Sequence, residues 1–190
     1  MENKKIQENI QNLQAEYYQT HTKNRFFKSK QKNECASMVA QQFDIKTLFE
    51  HTLYIIPSES AIYFDYNMFK MFICPENFDL FLQYIDNVTT PWINACESYE
   101  LHLNMQGLTI SGFERFSGSI DSLFQHLPPV SHKMMHIYIY YTPAVVDTIM
   151  RVIRPFIAHY LDKIVFYSKT ESEKKLTEFT LRCKQSVVCA

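Results

Sequence analysis

Glycine is nearly absent from this chain, at three in 190 residues, and tryptophan occurs once. So little glycine leaves scant material for loops that wrap nucleotide phosphates. There is no G-x-G-x-x-G, and Gly107-x-x-x-x-Gly112 lacks the Lys-Ser/Thr pair that a phosphate-binding loop needs. Charge is not in surplus either. A formal net charge of −1 argues against a surface built over its whole extent to grip nucleic acid. No C-x-x-C pair occurs: the five cysteines (Cys35, Cys74, Cys96, Cys183 and Cys189) are scattered and odd in number. That pattern suits free thiols in a reducing compartment better than a disulfide framework or a zinc knuckle. Every apolar run is short, so none is expected to span a bilayer. The polar start MENKKIQENIQNLQ has no h-region of a secretory signal. Glu2 breaks the myristoylation pattern, and Cys189 stands in the wrong place for prenylation. The expectation is a cytoplasmic location, with any membrane contact peripheral.

What is abundant is apolar and aromatic. Hydrophobic residues make up 46% of the chain, with 15 Phe and 12 Tyr, so one packed core is predicted rather than a disordered chain. In the first thirty residues Ile6, Ile10, Leu13 and Tyr17 form a narrow helical stripe on a polar segment. A basic run follows, Lys23 to Lys32, holding five Lys/Arg with Phe26 and Phe27 among them. Asn33 is positioned to cap a helix carrying Met38, Val39 and Phe43, and Asp44 to cap a short one through Leu48 and Phe49.

From Leu53 the pattern changes. Leu53–Ile56 and Ala61–Tyr66, extending toward Phe72, read as strands, and Pro75 opens a helix whose face is Phe78, Phe81, Leu82, Ile85 and Val88. Along Tyr99–Met105, Leu101, Leu103 and Met105 alternate with Glu100, His102 and Asn104. Ser111-x-x-Glu114 fits a capping box for a helix with Phe113, Phe116, Ile120, Leu123, Phe124 and Leu127, stopped by Pro128-Pro129. His136–Tyr141 is the next strand. Thr142-Pro143 starts a helix that Pro155 should kink or end, Lys163–Tyr167 is a last strand, and Thr170-x-x-Glu173 caps a final helix. The series predicts an α/β fold: a mainly parallel five-stranded sheet with helices packed on it, from residue 53 to 190. Residues 1–52 form a short helical N-terminal appendage with a basic linker.

Over Tyr99–Ser168 the chain resembles the CRAL-TRIO domain of cytosolic lipid-transfer proteins. Asn104-Met105-Gln106-Gly107 is similar to the family's strand-ending D-x-x-G, and Pro128-Pro129 with His132-Lys133 to its Y-P-x-R-L lead-in. Strand Ile137–Tyr141 runs into Thr142-Pro143, where the family has N-x-P. Arg154-Pro155-Phe156-Ile157 resembles K-P-F-L, and Lys163-Ile164 the K-I strand after it. The departures are Tyr141 in place of Asn and the missing L-P-x-x-Y-G-G segment. A STAS-like domain, with similar β-α alternation and no lipid pocket, is the runner-up at the level of fold.

The resemblance implies a non-enzymatic carrier of a hydrophobic ligand or phospholipid, with a gate helix over about Ala144–Phe156. Val145, Ile149, Val152 and Phe156 would line its cavity, and Tyr138 and Tyr140 would meet a headgroup. The same apolar stripe is also what ordinary helix-on-sheet core requires. Lys23, Arg25, Phe26, Phe27, Lys28, Lys30 and Lys32 suit contact with an anionic membrane surface, charges at the headgroups and rings in the interface. They suit a solvated linker as well, and nucleic acid is not the expected partner. The rival function is a structural or interaction part of a larger assembly, with its pocket filled by side chains. The Asn, Lys, Ile, Phe and Tyr usage fits an AT-rich genome, such as that of a virus or protist. No catalytic, metal or cofactor site is expected. His132-x-x-x-His136 leads into a strand without a third ligand, Ser117 has no G-x-S-x-G frame, and Glu97/Glu100 or Asp65/Asp79 pair only under an assumed fold.

Overall fold

Segments rich in β-branched and aromatic residues pair into one five-stranded sheet in a computed structural model of the chain, which describes residues 2–21, 28–119, 122 and 132–188. The strands are β1 (Leu53–Ile56), β2 (Ala61–Asp65), β3 (Tyr99–Asn104), β4 (Met134–Tyr140) and β5 (Ile164–Phe166), in the order β1-β2-β3-β4-β5. β1 and β2 form an antiparallel hairpin, with Ser60 in the left-handed region at φ 47° to close its turn. β2, β3, β4 and β5 are all parallel. Eight α-helices are described: α1 (Glu2–Thr20), α2 (Lys28–Gln41), α3 (Ile45–Glu50), α4 (Tyr66–Phe72), α5 (Pro75–Ala95), α6 (Ile110–Phe116), α7 (Val146–Ile157) and α8 (Lys169–Val188).

Each parallel strand is laid on the same side of the one before it. Right-handed crossovers therefore carry α4, α5, α6 and α7 over one face of the sheet. The opposite face is left for α8, whose Phe179 packs on Ala61 and Tyr63 of β2. Arg182 of α8 pairs with Glu59 in the hairpin turn at 3.0 Å, which holds the helix along the sheet.

The main core lies on the crossover side. Phe81 of α5 meets Phe49 of α3 and Phe69 of α4 at ring separations of 5.3 and 5.4 Å, and Phe69 reaches Phe116 of α6 at 4.7 Å. Helices preceding the sheet share this core: Ile10 of α1 and Val39 of α2 are fully buried in the same cluster. No helix among the described residues is long and apolar enough to cross a membrane.

Several element boundaries differ from the sequence reading, three of them because a local hydrogen bond prevails over propensity. β2 stops at Asp65 rather than running toward Phe72, since the Asp65 carboxylate accepts from the N–H groups of Asn67 and Met68 at 2.8 and 3.1 Å and starts α4. α6 is capped by Thr109, whose hydroxyl accepts from Gly112 N–H at 3.2 Å, and not by Ser111. α8 begins at the capping box Ser168-x-x-Glu171, two residues before Thr170 and Glu173, with Ser168 N–H donating to Glu171 at 2.8 Å. α2 begins at Lys28, so Asn33 is helical and instead accepts from Arg115 Nε at 2.6 Å. Pro155 stands in the last turn of α7, which passes into a 3-10 turn over Ala158–Lys163. Asp44 does cap α3, accepting from Thr47 N–H at 2.9 Å. Ile120, Leu123, Phe124, Leu127 and Pro128-Pro129 lie outside the described residues.

Candidate functional site

Alternation along β3 and β4 gives the sheet two different faces. Leu101 and Leu103 of β3, with Ile137 and Ile139 of β4, turn toward the crossover helices and floor a cavity of about 480 Å³. Phe81 and Ile85 of α5 and Phe113 and Phe116 of α6 wall it, while Ile149, Ile153, Phe156 and Ile157 of α7 close a further side. That volume is within the range of small-molecule sites, about 300–1,000 Å³. No charged side chain lines it among the described residues. Its polar lining is a few hydroxyls, and Thr89 already donates its own to the Ile85 carbonyl at 2.9 Å. Such a space can remove an apolar chain from water, at about 0.8 kcal/mol for each buried CH2. Among the described residues it holds no nucleophile–base pair that could act on one.

Ile149 and Phe156 therefore stand at the cavity as the sequence places them. Phe156 both lines it and is 39% exposed, so it sits where the cavity meets the surface. Val145 is half-buried against the core without lining the space, and Val152 is turned outward, 46% exposed. The inward stripe of α7 is Ile149-Ile153-Ile157 with Phe156, rotated from the one anticipated. Tyr138 and Tyr140 are a plain correction. They occupy the other face of β4, because Ile137 and Ile139 take the cavity side, and their hydroxyls have protein partners. Tyr138 donates to Glu100 at 3.2 Å, and the Tyr140 hydroxyl lies 2.8 Å from His102 Nδ1.

That second face is filled rather than hollow. His102 is 2% exposed and stacks on Phe179 of α8 at 4.2 Å, and Tyr138 and Tyr140 both stack on Tyr167. Burial pushes the His102 pKa down to about 4 against the opposing pull of Glu100. The ring nitrogens His102 Nε2 and His136 Nδ1 each lie 3.5 Å from Glu100 carboxylate oxygens, too far to make a hydrogen bond. No group of three metal-ligating side chains occurs among the described residues. His132 sits in a turn and His136 in β4, so their spacing of four does not place them on one helical face.

Of the basic run, Lys23, Arg25, Phe26 and Phe27 lie outside the described residues. Lys28 and Lys30 are exposed on α2, whereas Lys32 is half-buried and donates to Ser111 Oγ at 3.2 Å. Lys133 donates to the Ile93 and Asn94 carbonyls at 3.0 Å each, tying β4 to the end of α5. In the turn after β3, Asn104 Oδ1 accepts from Gln106 N–H at 3.2 Å and Gly107 adopts φ 75°, so an amide serves the role of an aspartate there.

Tyr66, Leu108 and Ile153 also line the cavity, though the sequence reading did not place them among its lining residues. Ile153 was recoverable from its spacing to Ile149. Tyr66 was concealed because it was read as strand. No protein-family model matches this chain, and no match is found among curated proteins or solved structures.

Proposed function

We propose that this protein is a non-enzymatic carrier that binds a lipid or other hydrophobic ligand between its sheet and the helices α5, α6 and α7. The observation that carries the reading is the cavity of about 480 Å³, floored by Leu101, Leu103, Ile137 and Ile139 and free of charged lining among the described residues. The CRAL-TRIO resemblance over Tyr99–Ser168 supports it, since a gate helix there corresponds to α7. Exchange would then require α7 to swing from the sheet. Its outward side presents Val152 and Phe156 beside the exposed Arg151 and Arg154, a combination suited to an anionic bilayer at the moment of transfer. The test is solvent extraction and native mass spectrometry of the purified protein, followed by uptake of a fluorescent fatty acid. Protein that carries no co-purified lipid and takes up none of the probe sinks the reading.

A second reading, an interaction part of a larger assembly, rests on exposed apolar residues on and near the crossover side. Met135 is 50% and Phe166 41% exposed, in addition to Val152 and Phe156. Stable recovery in a defined complex, with ligand uptake absent, would favour it.

A further inference from the structure

One end of the cavity adjoins a corner of the molecule where positive charge collects with no carboxylate in ion-pair contact among the described residues. Three elements meet there: α2 brings Lys32, α4 brings Tyr66 and Lys70, and α6 brings Ser111 and Arg115. Tyr66 lines the cavity and is 5% exposed, yet its hydroxyl makes no hydrogen bond among the described residues and lies against Gly112. The Lys70 ammonium sits 5.7 Å from the centre of the Tyr66 ring. It also lies 2.6 Å from where a Cβ would stand at Gly107, which places it beside the turn after β3. Four residues along the chain, Ser111 receives Lys32 at 3.2 Å. Leu108, between the two lysines' contact points, is itself a cavity residue.

Neither lysine has a carboxylate within ion-pair distance among the described residues. Asp65, whose charge Lys70 feels, is committed to the start of α4 and to Asn104. Arg115 spends three donors on Asn33 and on the Lys70 and Ile73 carbonyls, which fixes its charge in the corner. Burial depresses both lysine pKa values, and neighbouring cations (Arg115 and Lys28 for Lys32, Lys32 for Lys70) depress them further. The corner thus holds two half-desolvated ammonium groups and a free phenol hydroxyl beside an apolar hole, an arrangement an anion would relieve.

We infer that the cavity's ligand is an amphiphile with an anionic head, a carboxylate or a phosphate monoester, held by the Tyr66 hydroxyl, Lys70 Nζ and Lys32 Nζ while its chain lies over the sheet. This rests on the apolar-ligand reading of the cavity and narrows it to a substrate class. The experiment compares a fluorescent polyene fatty acid with its methyl ester for binding to the full chain, with a long-chain alcohol, an alkyl phosphate and inorganic phosphate as competitors. The acid should bind roughly tenfold or more tighter than the ester, as expected when hydrogen bonds to a charged group are gained. Lys32→Met with Lys70→Met should erase that preference and leave ester binding unchanged, Tyr66→Phe should lower it, and Lys70→Arg should restore most of it. Should the double variant fail to fold by circular dichroism, the more accessible Lys32→Met alone gives the same readout at smaller amplitude. Equal binding of acid and ester to the native protein overturns the anionic head while sparing the cavity. Absence of binding by either removes both. Inorganic phosphate competing as well as alkyl phosphate overturns the lipid head and assigns the corner to a free anion.

Discussion

The two sides of the sheet are woven from the same strands in alternation, yet one is hollow and the other is packed solid. On the crossover side the central leucines and isoleucines, Leu101, Leu103 and Ile139, are only half-buried, because they look into empty space. On the other side a histidine, His102, is almost wholly buried, clamped between Tyr140 and Phe179. The hydrophobic effect alone would arrange this the other way round. A sheet that leaves aliphatic residues partly unpacked in mid-strand forgoes dispersion contacts. The polar side, by contrast, is stitched by stacking and by the Tyr140–His102 and Tyr138–Glu100 hydrogen bonds. Rigidity is thus concentrated on one side, and room for a guest on the other.

The largest effect should come from the packed side. Phe179→Ala removes a ring stacked on both Tyr63 and His102 and should cost about 3–5 kcal/mol in urea unfolding. A loss below about 1 kcal/mol would show that α8 does not seal that face. Next, stability should fall in acid because of His102. Its pKa is about 4 in the folded state, below the free value of 6.5, so the folded form resists protonation. The stabilising contribution is complete above the free value and is lost as pH drops from 6.5 toward 4, with a slope of at most about 1.4 kcal/mol per pH unit. Denaturation midpoints of His102→Leu, measured across that window, should show a correspondingly flatter dependence.

On the hollow side the expected pattern inverts. Leu103→Trp places a larger ring into existing space, so unfolding stability should change by no more than about 1 kcal/mol while ligand uptake drops sharply. A severe loss of stability there would mean that the cavity is not open. The smallest effect is at Tyr141, which adopts φ 52° at the end of β4 while its N–H donates to Ser172. Tyr141→Asn should raise stability by up to about 1 kcal/mol, because asparagine tolerates the left-handed region better than tyrosine. An unchanged or lower melting temperature counts against backbone strain at that point.

The alternation that creates the two faces was readable in the chain: Leu101 and Leu103 against His102, and Ile137 and Ile139 against Tyr138 and Tyr140, with one parallel sheet implied by the order of elements. Which face would be hollow was not. Assigning Tyr138 and Tyr140 to a ligand required choosing a side of the sheet, and that choice depends on α8, about thirty residues later, covering the hydroxyl-bearing side. Local chemistry misled at shorter range. Asp65 caps α4 within a run of strand-forming residues, which hid Tyr66 from the list of cavity residues. The Lys32–Lys70 corner joins residues that no periodicity links, and only the packing of α2 on α4 and α6 brings them together.

Because every crossover in the parallel sheet falls on one flank, α8 shields the histidine–tyrosine flank without support from any crossover helix. Its hold depends on Phe179, Ser172 and the Arg182–Glu59 pair. Peeling that single rod away would wet a plane of stacked rings and leave the guest chamber standing. Limited proteolysis or hydrogen exchange should then record two openings with separate thresholds, one for α8 and one for the helices over the cavity.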